Sequence, residues 1–269
     1  MIAERIQRLL EAEAKSIRVA DVRIGLGYTA VLTESGSAGV AYTPREELGR
    51  ECSVRSAGQP LAGRDAAELL AYLTSADALE RAVGLATANA LIRMREVENT
   101  CEGDVLDVLA LRHGDRVGMV GYFGPLVPRV ESEVASLTVF ERGRGWTAGV
   151  QPAERAVDLL PSCTVALITS TALITESLDA LLEAAARCRI VALLGPSTPL
   201  LPGAFTGTPA TWLSGIRVTH PKEVLRVVSE GGGTREFSPY VRKVNLCLGP
   251  VEPATSAGVG QGAGGARGG

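Results

Sequence analysis

Apolar residues change their spacing several times along this chain, and each change marks a different element. In residues 2–14, Ile2, Ile6, Leu9 and Leu10 share one stripe with charges opposite, the pattern of an amphipathic helix. From 17 to 41 Val, Ile, Thr and Tyr dominate, broken by Gly25, Gly27 and Ser35-Gly36. This texture predicts antiparallel strands near 18–24, 28–34 and 38–42, with 34–37 as a hairpin turn. Helical spacing returns over 65–73 and 77–94, with Ser75 as the expected N-cap of the second helix and Asp77 and Glu80 in its first turn. On that helix Leu79, Val83, Ala86, Ala90 and Met94 form one stripe. Strands followed by helices make residues 1–103 an α+β unit.

Beyond 104 the rhythm becomes strand, loop, helix, repeated. A helix is expected over 105–111. Strands are expected near 116–120, 136–140, 164–168, 190–194 and 215–218, and helices near 125–132, 152–160, 175–187 and 222–229. The runs 117–120, 165–168 and 190–194 are apolar and uncharged, the signature of parallel strands buried on both faces. The fold class is therefore α/β, with residues 104–250 forming a doubly wound parallel sheet. After Pro250 the chain turns Gly- and Ala-rich with little apolar bulk, so 251–269 is expected to be a disordered tail.

Composition narrows the classes. The chain has 269 residues, 46% hydrophobic and 21% charged, with a net charge of −3. Interspersed charges of both signs leave no basic footprint for nucleic acid. No window resembles a membrane span, and the N-terminal segment carries Glu4, Arg5 and Arg8 in place of a signal peptide's apolar centre. The five cysteines are scattered and form no CxxC, which points to a cytoplasmic protein without a disulfide frame or zinc knuckle. Self-association is left open.

In an open α/β sheet the ligand site lies beyond the carboxyl ends of the strands. Three loops stand there: Gly121-Tyr122-Phe123-Gly124-Pro125, Thr169-Ser170-Thr171 and Gly195-Pro196-Ser197-Thr198-Pro199. The first is not a dinucleotide fingerprint, because Phe123 would block backbone approach to a pyrophosphate. Glu141 nevertheless ends the next strand 20 residues after Gly121, where a ribose-binding acid would sit. Thr175-Glu176-Ser177 opens the following helix, with Thr175 either a simple N-cap or part of an anion site. The two prolines around Ser197 and Thr198 stiffen the third loop. Gly231-Gly232-Gly233 reads as a helix stop or as a loop approached by ligand. Neither His113 nor His220 belongs to a catalytic pattern, and no nucleophile–base pair stands out.

The segment Val117-Gly118-Met119-Val120-Gly121-Tyr122-Phe123, the Leu159-Leu160-Pro161 run leading to Thr169-Ser170-Thr171, the Gly195-Pro196-Ser197-Thr198 loop, Glu230-Gly231-Gly232 and the upstream Ala88-Asn89-Ala90 together resemble the "putative heavy-metal chelation" family. The resemblance covers roughly residues 1–248. It implies an enolase N-terminal-like domain followed by a Rossmann-like domain, with a site in the cleft between them. By motif it points to Asn89, Tyr122, Phe123, Thr169, Ser170, Gly195, Pro196, Ser197 and Thr198 as ligand residues, with Glu141 and Gly231 added by position. The implied ligand is a heavy-metal ion or metal chelate, with Tyr122 or Phe123 walling the apolar side. Thr175-Glu176-Ser177 stands where Asn-Gly-Thr is expected in relatives. A second reading is an enzyme, a lyase or transferase acting on a phosphorylated or carboxylated metabolite, with Glu141 as general base. A third is a nucleotide-responsive binding module.

Overall fold

The computed structural model describes residues 1–48, 60–92, 100–143 and 149–249. The tail expected to be disordered lies outside them. Helix α1 (Ile2–Ala14) leads into a three-stranded antiparallel sheet of β1 (Val19–Ile24), β2 (Tyr28–Thr33) and β3 (Ala38–Tyr42). Then come α2 (Ala66–Leu70), a 3-10 turn (Ala71–Thr74) and α3 (Ala78–Ile92). On α1 the buried stripe is Ile2, Ile6, Leu10 and Ala14, while Leu9 lies at the surface. Asp77 caps α3: its Oδ1 accepts from the N–H groups of Leu79 and Glu80 at 2.8 and 3.0 Å. Ser75 instead accepts from the Asp77 N–H and donates to Glu80, so the expected cap is displaced by two residues. Helix α3 is buried on nearly every side, as a central helix must be.

The remaining chain builds one eight-stranded sheet. Its elements are β4 (Thr100–Glu102), β5 (Arg116–Val120), α4 (Val127–Glu133), β6 (Ser136–Glu141), β7 (Val150–Pro152), α5 (Ala156–Leu159), β8 (Val165–Thr169), α6 (Leu178–Ala184), β9 (Ile190–Leu194), β10 (Trp212–Val218), α7 (Pro221–Ser229), α8 (Thr234–Phe237) and β11 (Val241–Cys247). The strand order is β4-β11-β10-β9-β8-β5-β6-β7. From β10 to β7 all neighbours are parallel. Strand β11 runs antiparallel to β10 and β4 antiparallel to β11, which corrects the expectation of a wholly parallel sheet. The reason lies in α7. It packs on β1 and β2 of the small sheet, so the chain re-enters where it left, with the Thr219 N–H donating to the Tyr240 carbonyl. The helix expected over 105–111 shrinks to a 3-10 turn at Val105–Asp107.

Alternation along the central strands explains their uncharged runs. Val117, Met119, Val165, Leu167, Ile190, Ala192 and Leu194 face one apolar cluster. Val120, Ala166, Ile168, Val191 and Leu193 face the other, which continues without a break into Ile2, Ile6 and Leu10 of α1 and the buried side of α3. The small sheet and the large one thus share a continuous core.

Candidate functional site

Strand β5 lies at the turning point of the sheet: the next strand, β6, pairs on one side of it and β8 on the other. Beyond the carboxyl ends of β5, β6 and β8 opens a crevice of about 200 Å3, lined by Gly121, Glu141, Arg142, Thr169, Thr171, Thr175 and Ser177 among others. A reversal of strand order leaves such a crevice because the two flanking connections diverge.

Each polar group in it is placed by the turn that carries it. Gly121 adopts φ +93°, and a Cβ there would come within 2.8 Å of the Thr169 Cβ, so only glycine lets the ends of β5 and β8 approach this closely. The Glu141 carboxylate accepts from the Tyr122 N–H at 2.5 Å and from the Arg142 N–H at 2.7 Å. It therefore pins the loop after β5 to the end of β6. The Thr169 hydroxyl shares a 3.1 Å hydrogen bond with the Thr171 hydroxyl and accepts from the Thr171 N–H. Thr175 and Ser177 share another at 3.1 Å. Five side chains thus present oxygen atoms satisfied largely by one another or by backbone.

A chain of ion pairs runs along the rim. Glu47, which follows β3, pairs with Arg142 at 2.8 Å and approaches Arg81 of α3 at 3.9 Å. Arg81 also meets Glu176 at 3.3 Å and donates to the Ile174 carbonyl. Glu176 has φ +55°, an uncommon conformation for a residue with a side chain. Tyr42 donates its hydroxyl to Glu46 at 2.7 Å; burial, reinforced by that carboxylate, pushes its phenol well above the usual range.

The remaining residues singled out by sequence divide from this crevice. Asn89 donates Nδ2 to the carbonyls of Val40 and Ser197 at 2.9 and 3.1 Å, and the Ser197 hydroxyl accepts from the Tyr42 N–H at 2.8 Å. Both side chains act as ties between β3, α3 and the loop after β9. Thr198 and Pro196 line a separate small cavity. Gly195, with φ +116°, approaches the buried Ser170 hydroxyl. Tyr122 projects outward at 45% exposure, and Phe123 packs against the cluster on the other face of the sheet. Neither walls the crevice, because the Glu141 anchor holds their loop by its backbone.

Gly231 is a helix stop: its N–H donates to Val228 and that of Gly232 to Val227, closing α7 in the reciprocal pattern of a Schellman motif. Of the two readings of 175–177, an anion held by the free N–H groups at the start of α6 is disfavoured. Asp179 sits in the first turn of α6 and accepts from the Ile2 N–H, so the start of that helix already faces a carboxylate. Arg142, Glu47 and Arg81 were missed by sequence reading; the charge at 142 directly after Glu141 was the one available signal.

Two family models, both described as "Putative heavy-metal chelation", match residues 104–247 and 7–92. The chain belongs to this family. An uncharacterized protein of Methanocaldococcus jannaschii is 27% identical over 253 residues, 91% of this chain and 96% of that one. A family protein of unknown function from Pyrococcus horikoshii has a similar crystal structure, with TM-score 0.82, 24% identity and coverage of 92% of this chain and all of the other. Another, from Desulfitobacterium hafniense, gives TM-score 0.74 at 22% identity, covering 91% and 98%.

The family description invites a test against the donor atoms present. Among the described residues no group of three or more His, Cys, Asp or Glu side chains converges. Soft heavy metals favour thiolate and imidazole ligands. Burial pushes the Cys163 thiol up and, with Cys163 nearby, that of Cys188 to about 11, so both stay protonated near neutrality. The crevice offers hydroxyls, the carboxylates of Glu141 and Glu154 and the Arg142 guanidinium, with no thiolate or imidazole. These atoms do not fit a bare soft metal ion.

Proposed function

We propose that the crevice beyond β5, β6 and β8 binds a small polar molecule, and that where a heavy metal is handled it arrives already chelated. In this reading the N-terminal unit is enolase N-terminal-like and the large sheet Rossmann-like, and segment 42–48 of the first closes over the strand ends of the second. The observation that carries the proposal is the paired hydroxyls of Thr169–Thr171 and Thr175–Ser177 beside Glu141, inside a crevice at the reversal of strand order. Such groups can exchange their mutual hydrogen bonds for bonds to a ligand at little net cost. Glu141 is rigid because two N–H groups hold it. It therefore serves better as a fixed acceptor for ligand hydroxyls than as a mobile proton carrier.

The test is thermal denaturation with nickel(II) or cadmium(II), each as chloride and as citrate complex, and with citrate alone. The complex is expected to raise Tm and the bare ion to leave it unchanged. Thr171→Val, which removes a hydroxyl without changing shape, is expected to abolish the rise. A bare ion that stabilises the protein as much as its complex, in wild type and Thr171→Val alike, would overturn the proposal.

A further inference from the structure

A second cavity lies where β3 and α3 meet the loop after β9 and the end of β10. Val40, Asn89, Ile92, Thr198, Leu200 and Arg217 contribute to the walls of a void of about 20 Å3. Among the described residues, three buried side-chain polar atoms have no hydrogen-bond partner: Thr198 Oγ1, Arg217 Nη2 and Asn245 Oδ1. Two of the three belong to residues that line this one cavity, Thr198 and Arg217. Thr198 is only 2% exposed. Buried polar atoms are almost always paired with protein or with a bound molecule, so two orphans at one void call for a hydrogen-bonding occupant there.

Charge says what that something is. Arg217 carries a permanent cation, and no described carboxylate pairs with it. Across the β10–β11 ladder it faces Arg242, whose own guanidinium is taken by Glu102 at 3.2 Å. The Asn89 amide nitrogen, which could also have donated, is already spent on two carbonyls. One guanidinium and one hydroxyl are therefore the available donors, and the other walls are mainly apolar. A dianion such as phosphate would be left under-paired there, whereas the planar fork of a guanidinium matches a carboxylate bidentately.

We propose that this cavity is a binding site for a short monocarboxylate of formate or acetate size, held by Arg217 with Thr198 donating a further hydrogen bond. The site is separate from the strand-end crevice and does not rest on the reading given for it.

The experiment is titration of the full-length protein with sodium formate, acetate, butyrate, chloride and phosphate at constant ionic strength. It is followed by thermal denaturation and by saturation-transfer NMR on the acetate methyl signal. Formate and acetate are expected to bind saturably, and butyrate, chloride and phosphate to produce no saturable shift. Arg217→Gln is expected to weaken acetate binding at least tenfold. Thr198→Val is expected to weaken it several-fold while leaving stability without carboxylate unchanged or higher, because the lost hydroxyl has no protein partner. Thr171→Val, in the other crevice, is expected to bind acetate like wild type.

Absence of a saturable acetate response would overturn the proposal, as would an equal response to chloride or retained binding in Arg217→Gln. Should Arg217→Gln fail to fold, unaltered acetate affinity in Thr198→Val does the same. Loss of the response in Thr171→Val would assign it to the strand-end crevice and also contradict the proposal.

Discussion

The two ends of the same three strands are built on opposite plans. At the amino end, Asp115, Thr164 and Arg189 each stand directly before β5, β8 and β9. The buried Asp115 carboxylate accepts from the Arg112 N–H at 2.8 Å, the Thr164 hydroxyl at 2.9 Å and Arg189 Nε at 3.1 Å, with Arg189 Nη2 as a fourth donor. Charge there is consumed by charge and the end is closed. At the carboxyl end Gly121 follows β5, Thr169 closes β8 and Gly195 follows β9, and the hydroxyls of Thr169 and Thr171 satisfy each other. One end locks the strands in register; the other leaves exchangeable polar groups around an opening. Strength and availability have been separated along one sheet.

Variants at the closed end should show the largest effects. Asp115→Ala leaves Arg189 facing a half-buried gap and is expected to cost about 3 kcal/mol in urea denaturation, the scale for breaking a buried ion pair from one side. Burial alone would raise the Asp115 carboxyl, but Arg189, the Arg112 N–H and Thr164 outweigh it and hold it below the usual range. Its contribution to stability is accordingly complete above the ordinary aspartate pKa of about 4 and is lost as pH falls through the depressed folded-state value. Stability measured from pH 6 downward should decline less steeply in Asp115→Asn than in wild type; identical slopes would remove Asp115 from the acid response.

Next comes Gly121→Ala, which forces φ +93° on a residue with a Cβ and drives that Cβ against Thr169. A loss of about 2 kcal/mol is expected, together with loss of ligand response at the open end. Asn89→Ala removes two hydrogen bonds tying β3 and the loop after β9 to α3. It is expected to cost about 1–2 kcal/mol, measured by denaturant titration, without abolishing the citrate-complex response. The smallest stability change belongs to Thr169→Val, within about 1 kcal/mol, yet it should remove that response. If Thr169→Val were as destabilising as Asp115→Ala, the two ends would not differ in kind.

The open end of this contrast was visible in the sequence, and the closed end was not. The strands β5, β8 and β9 are uncharged because both faces are buried, so their runs and the loops after them stood out. Strand β11 was hidden: Arg242 and Lys243 break its apolar pattern because they face outward, and Asn245 breaks it although buried, its amide donating to the Gly103 carbonyl. Strands β4 and β7, three residues each, are too short to show a period. Glu141 was found by its spacing from Gly121, but its engagement by two N–H groups depends on how β5 and β6 pair. Asn89 looked like a ligand because its bonds go to backbone carbonyls, which no sequence pattern reveals. Arg217 passed unnoticed for a related reason: an arginine in a strand shows its burial and its missing partner only once β3, α3 and the loop after β9 surround it.

Equilibrium dialysis of the full-length protein against nickel(II) citrate, with bound nickel and bound citrate quantified separately, puts the open end to the most direct test. Nickel and citrate bound together in equal amounts by wild type, and neither retained by Thr171→Val, is the expected result. Nickel bound without citrate, at the same level in both proteins, would contradict it.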